Sequence, residues 1–193
     1  MVLPYNENTL TMIVGSMYSS KTTTLFAYIE KFQYAKKRIM IFSIEKDTRY
    51  GVGVITNHNG KQVDSFAVKS SIEILEKVNA EECDIVFIDE IQFFDDGVIE
   101  VIESLLKDGK KVIAAGLDQD FMGRGFGPVP ELLARAENVI KLTAVCSVCG
   151  KSATRSQRLI DGEPASPNDE IFKLGSQETY EARCREHHYI TEI

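Results

Sequence analysis

The chain of 193 residues is short of positive charge: 22 lysines and arginines stand against 29 aspartates and glutamates, for a net charge of -7 and a pI of about 5.1. Proteins that bind nucleic acid or anionic membranes generally do so through a basic face. That class is therefore disfavoured, and phosphate has to be gripped locally. Long apolar runs are missing as well, since none approaches the roughly 20 residues of a membrane span. The first residues, Met1 to Glu7, have no basic segment leading into an apolar stretch, which argues against secretion and for a cytoplasmic protein. Internal repeats and low-complexity segments are absent. Cysteine is scarce, with four in all. Three of them lie near the C-terminus at metal-like spacing, which suggests a reducing compartment and a metal site, not disulfides. What is present, 44% hydrophobic residues, suffices for an ordinary core in one or two domains.

The most informative stretch is Gly15, Ser16, Met17, Tyr18, Ser19, Ser20, Lys21 and Thr22. An apolar run over residues 10–14 leads into it, and a helix-like segment over 22–36 follows at once. Strand, small-residue loop and helix in that order form a phosphate cradle. Backbone N–H groups and the positive helix end face the anion, the lysine adds a full charge, and the threonine hydroxyl can hold Mg²⁺. The usual glycine before the lysine is replaced by Ser20.

Beyond the loop, β-like and helix-like runs alternate as far as about residue 142. The apolar runs over 39–43 and 85–88 read as strands covered on both faces, 63–68 as a weaker strand, and 111–115 as another. Helices are expected over 71–78, from Asp95 and Asp96 to Lys107 with Gly109 as terminator, and over 131–137 with Pro130 in the first turn. This alternation predicts a parallel sheet flanked by helices. Residues 118–127 break the pattern with three glycines and two phenylalanines. After residue 142 the pieces are short and β-like, with a turn at Asp161 and Gly162. We expect one unit over 1–143 and a second over 144–193, the latter small enough to need a metal staple.

Three constellations carry chemistry. Asp89 ends the 85–88 strand, where a carboxylate can reach Mg²⁺ through water. Glu90 is expected on the opposite side of an extended backbone and free to act on an acceptor hydroxyl, with a solvated charge as the alternative. Cys146, Cys149, Cys184 and His187 form two close pairs that suit a tetrahedral, closed and therefore structural Zn²⁺, with the spacing favouring His187 over its neighbour His188. Asp47 and Arg49 follow the 39–43 strand at the sheet edge that faces a ligand crevice, where they read either as substrate contacts or as a surface ion pair. Cys83 reads as a packed apolar residue.

Taken in order, the loop over 15–22, Asp47 to Tyr50, Asp89 to Phe94, Gly116 to Phe121, Phe126 with Gly127, and the Cys/His pairs preceded by Tyr180 resemble the zinc-containing thymidine kinases. The resemblance runs from about Leu10 to His188. It implies a P-loop NTPase-type α/β fold with a C-terminal zinc ribbon-like domain and a substrate-covering lasso loop. The implied reaction is ATP-dependent phosphorylation of the thymidine 5′-hydroxyl, with ATP and Mg²⁺ as cofactors. Glu90 then matches the general base, Asp47 and Arg49 the residues near the transferred group, Asp89 the metal carboxylate, and Gln92 a nucleotide-site glutamine. Met17, Phe93, Leu117, Phe121, Phe126, Ile171, Lys173, Gly175 and Tyr180 match the thymidine pocket. A homotetramer is implied in the same way.

This sequence departs from the family pattern in three places. Ser20 stands for the loop glycine, Ser43 and Ile44 for Lys-Pro, and Gly125 for proline, which is expected to loosen the substrate loop. If the place of Ser20 requires positive φ, its side chain costs roughly 1–2 kcal/mol, about a tenfold loss in ATP affinity. An active but weakened kinase is expected.

Overall fold

The computed structural model describes residues 8–45, 53–57, 59–169 and 178–190. Its centre is a six-stranded sheet built from β1 (Leu10–Gly15), β2 (Ile39–Ile44), β5 (Phe66–Val68), β6 (Ile85–Ile88), β7 (Lys111–Gly116) and β8 (Asn138–Leu142). The strand order is β5-β2-β6-β7-β1-β8, and every pairing is parallel. Side chains alternate between the two faces along each strand, so a strand covered on both sides must be apolar throughout. In β6, Val86 and Ile88 join one core cluster while Ile85 and Phe87 join another. That division is why the four-residue run reads as continuous apolar sequence.

Helix α1 (Lys21–Tyr34) covers one face with Leu25, Phe26, Tyr28, Ile29 and Phe32. The other face takes α2 (Ser71–Ala80), α3 (Val98–Lys107) and α4 (Val129–Arg135) through Ile74, Val101, Ile102, Leu105 and Leu132. The expected parallel sheet with flanking helices is thus the fold. Some details differ. The segment over 63–68 splits, because Val63 lies in β4 (Gln62–Asp64), which pairs antiparallel with β3 (Val54–Thr56), while β5 joins the main sheet. Ile91–Phe93 form a short 3₁₀ turn, and α3 begins at Val98, later than Asp95. Asp95 instead accepts from Ser71 N at 2.9 Å and Ser71 Oγ at 2.6 Å, tying α2 to the entrance of α3.

Past the sheet come β9 (Ala144–Val145), β10 (Ser152–Ala153), β11 (Arg155–Ile160), β12 (Glu163–Pro164) and β13 (Glu178–Arg183). β9 pairs with β10, and β11 lies between β12 and β13, all antiparallel. The predicted turn at Asp161 and Gly162 joins β11 to β12, with both residues at positive φ as a tight hairpin requires.

Candidate active site

The carboxyl ends of β1, β6 and β7 lie side by side along one edge of the sheet, where open parallel sheets hold their ligands. From β1 the chain enters the phosphate-type loop. Gly15 (φ 155°) passes so close to β8 that a Cβ there would stand 2.4 Å from Leu142 O. Ser19 Oγ donates to Ser16 O at 2.8 Å, and Lys21 Nζ reaches the same carbonyl at 2.7 Å. Met17 N donates to Ser156 Oγ on β11 at 2.9 Å, so the C-terminal strands grip the loop directly. Ser20 sits at φ 64°, ψ 29°, the left-handed conformation that a glycine adopts without strain. The condition for a conformational cost at this position is therefore met. The loop fits a phosphate: α1 begins at Lys21, its first amides have no acceptor within the helix, as at any helix start, and the Lys21 ammonium sits over the loop on Ser16 O.

At the end of β6, Asp89 is buried and accepts from Glu90 N at 3.0 Å. The expected extended backbone does not continue. Glu90 turns to φ 51°, ψ 44°, and this brings both carboxylates to one cavity instead of opposite sides. Gln92 acts as a strut between two strands: its Nε2 donates to Glu90 Oε2 at 2.6 Å while its Oε1 accepts from Leu117 N at 3.0 Å. Away from the cavity it is tightly enclosed by two glycines. A Cβ at Gly116 would come within 2.4 Å of Gln92 Oε1, and one at Gly127 within 2.5 Å of Gln92 O.

These groups surround a cavity of about 300 Å³. Tyr18, Ser20, Lys21 and Thr22 close one end, with Asp89, Glu90 and Gln92 along its flank. Phe93, Leu117, Phe121, Phe126 and Tyr180 supply apolar wall, and the Phe93 and Phe126 rings meet edge to face at 5.5 Å. Met17 also reaches the cavity, whereas Gly15, Ser16 and Ser19 shape the loop from beneath. Sequence reasoning missed Thr56, Asn57, Gln119, Asp120 and Ser156, which line it too. Ser156 carries no local signal, because its partner Met17 is 139 residues away. Asp47, Arg49, Ile171, Lys173 and Gly175 lie outside the described residues. At the departure Gly125, the loop is closed by a bridge to Gln119 and by Asp120 N donating to Arg124 O at 2.9 Å.

Cys146, Cys149, Cys184 and His187 present ligand atoms that all lie within 4.8 Å of one another. Tetrahedral zinc, with sulfur at about 2.3 Å and nitrogen at about 2.0–2.1 Å, places its ligands roughly 3.5–3.8 Å apart. The observed separations fall around that range: 3.8 Å for Cys149–Cys184, 3.9 Å for Cys146–His187 and 3.2 Å for Cys184–His187. Burial works against a Cys146 thiolate, but backbone amides of Cys184, Cys149 and Val148 and the Cys149 thiol outweigh it and bring the pKa down to about 6. The competing His188 is engaged elsewhere, its Nε2 standing 2.7 Å from Phe121 O. Burial holds that imidazole below its ordinary pKa, against the opposing pull of the carbonyl.

The thymidine kinase family pattern matches residues 8–188, nearly the whole chain. The chain belongs to the thymidine kinase family. Membership implies ATP-dependent thymidine phosphorylation, with ATP and Mg²⁺ as cofactors. Among solved structures, the flagellar accessory protein FlaH from Methanocaldococcus jannaschii is similar to this kinase at 12% identity and a TM-score of 0.50, the match covering 76% of this chain and 75% of FlaH. A DNA replication initiation factor matches 69% of the kinase at 17% identity and a TM-score of 0.43, and the kinase spans 40% of that protein's length. At such identities the likeness to FlaH is one of fold. No helix among the described residues is long and apolar enough to cross a membrane.

Proposed function

We propose that this kinase moves the γ-phosphoryl group of ATP to the 5′-hydroxyl of thymidine with Glu90 as general base. One observation carries the reading: the Glu90 carboxylate, fixed by Gln92 at 2.6 Å, faces a cavity that has Lys21 and Thr22 at one end and Phe121, Phe126 and Tyr180 around it. A sugar hydroxyl is a weak nucleophile. As its proton passes to Glu90, the oxygen bonds to the γ-phosphorus and the bond from that phosphorus to the bridging oxygen of ADP breaks. A positioned base contributes roughly 10² to 10⁴ in rate. Lys21 exchanges the Ser16 carbonyl for phosphate oxygens, and the first amides of α1 face the same anion. When bound, Mg²⁺ offsets phosphate charge. Thr22 and Asp89 are the groups that would hold it.

Asp47 and Arg49 take the places near the transferred group by resemblance, as Ile171, Lys173 and Gly175 do around thymine. A thymine edge read by backbone donors and acceptors is discriminating, because leaving one unpaired in a dry pocket costs roughly 1–3 kcal/mol. The four-ligand zinc site has no open position and is structural. We further propose that residues 1–143 and 144–193 act as two units, in a cytoplasmic homotetramer that does not bind nucleic acid.

The test is turnover with thymidine, deoxyuridine and deoxycytidine in competition, alongside Glu90→Gln. Thymidine is expected to win. The variant should fold and bind both substrates while losing two to four orders of magnitude in kcat. Parental turnover in Glu90→Gln would remove the assignment of the base.

A further inference from the structure

We infer that His188 is a positioning residue for the nucleoside pocket, pinning the Phe121 wall to the end of the chain that carries the Cys/His cluster through its Nε2 at 2.7 Å from Phe121 O. The inference rests on the functional reading above and deepens it, since Phe121 lines the cavity assigned to the base.

His188 is well suited to this because both its neighbours are fixed. On one side His187 belongs to the metal cluster, and its carbonyl accepts from Arg183 Nη1 at 3.1 Å. On the other, Tyr189 exchanges two hydrogen bonds with the buried side chain of Gln157: Tyr189 N donates to Oε1 and Tyr189 O accepts from Nε2, both at 2.8 Å. The imidazole therefore projects from a clamped backbone.

Its target is equally constrained. The Asp120 carboxylate accepts from Met122 N and Arg124 N at 2.9 Å each, folding the segment after Phe121 into a tight turn. Arg155 Nη1 donates to Gln119 Oε1 at 2.6 Å, a second tie from the C-terminal strands to the same loop. The Phe121 ring, only 4% exposed, has the Arg158 guanidinium carbon 5.1 Å from its centroid. Arg158 meets the ring from β11 and His188 holds the backbone, so these two restraints, like that of Arg155, come from beyond residue 144. By contrast, the bonds of Glu90 to Gln92, of Lys21 to Ser16 O and of the phosphate loop to Ser156 do not run through His188. A change at His188 should therefore fall on nucleoside binding and leave the phosphoryl-transfer groups in place.

The experiment compares the parent with His188→Ala, His188→Leu and His188→Gln, measuring KM for thymidine, KM for ATP, kcat and bound zinc. A hydrogen bond of roughly 1 kcal/mol corresponds to about fivefold in affinity. His188→Ala and His188→Leu should raise the thymidine KM about three- to twentyfold, with ATP KM, kcat and zinc content within about twofold of the parent. His188→Gln, whose Nε2 amide can replace the lost donor, should recover most of the loss. Should the alanine variant not fold, the leucine and glutamine pair makes the same comparison with bulk retained. An unchanged thymidine KM, equal losses in every parameter, loss of zinc, or a glutamine variant no better than leucine would each overturn the inference. If the parent does not phosphorylate thymidine at all, the proposed function fails first. Calorimetric titration of each variant with thymidine still decides whether His188 supports the pocket, and equal affinities there overturn it.

Discussion

The main sheet and the strands after residue 144 achieve fixed geometry by opposite means. Beneath α1, the sheet buries Phe32, Phe87, Ile13 and Ile113, and its other face buries Phe42, Val86, Ile88 and Leu105. The C-terminal cluster consists of Ala144, Cys146, Ala153, Ala182 and Cys184, without one large apolar side chain. At roughly 25 cal/mol per Å² of apolar surface, alanines and cysteines supply little burial energy. Cross-links take its place: the Cys/His cluster, the paired bonds of Gln157 with Tyr189, and Ser147 Oγ to Glu181 at 2.8 Å. Hydrophobic burial thus places the strands that lead into the phosphate loop and the carboxylates, with the Met17–Ser156 and Gln92–Glu90 bonds added at their ends, while the C-terminal strands are held almost wholly by point contacts.

Metal removal should break this contrast most strongly. Structural zinc contributes on the order of 10 kcal/mol in small metal-folded units. Chelation is expected to abolish amide protection in β9, β11 and β13 while β1, β6 and β7 keep theirs, and hydrogen exchange reads both sets together. Simultaneous loss everywhere would mean that the two regions fold as one. The converse change is Phe87→Ala in the sheet, where the ring is fully buried and 6.4 Å from that of Phe32. It should cost about 3–5 kcal/mol in urea unfolding, with the zinc content of the folded fraction unaltered.

The phosphate loop, the two carboxylates and the Cys/His quartet were legible in the sequence because each is compact along the chain and sits where periodicity changes. The strands over 39–43 and 85–88 were legible because burial on both faces forces unbroken apolar sequence. β8 escaped notice: as an edge strand it leaves Val139 47% exposed and mixes Asn138 and Lys141 with apolar residues. The left-handed turn at Glu90 was equally hidden, since nothing about a glutamate announces positive φ, and it reversed the expected direction of that side chain. Ser156, Asn57 and Asp120 reach the cavity through tertiary structure alone.

Two smaller effects sharpen the comparison at the edges of the sheet. Ser20→Gly removes the Cβ from a left-handed position. Roughly 1–2 kcal/mol of relief, less the added freedom of the unfolded chain, should leave a gain near 1 kcal/mol in denaturant titration and an ATP KM lowered up to about tenfold. Unchanged ATP affinity and turnover would mean that the strain is not felt at the nucleotide. Smallest is the surface pair at the start of β6. Hydrogen bonds from the Arg38 side chain and backbone hold the Asp84 carboxyl down to about 2. A carboxylate depressed in the folded state stabilises above its unfolded pKa of about 3.9, and that contribution fades as pH falls toward 2. Asp84→Asn should therefore cost under about 1 kcal/mol at pH 7, and its difference from the parent should close in acid.

The crowding around Gln92 bears on how the enzyme tolerates variation. Neither Gly116 nor Gly127 lines the cavity, yet a Cβ at Gly116 would press on the side-chain amide of Gln92 that holds Glu90, and one at Gly127 on the Gln92 backbone carbonyl. Alanine at these bare positions would act on Glu90 from a distance, so constraint at that carboxylate reaches well along the chain to places with no side chain to offer it.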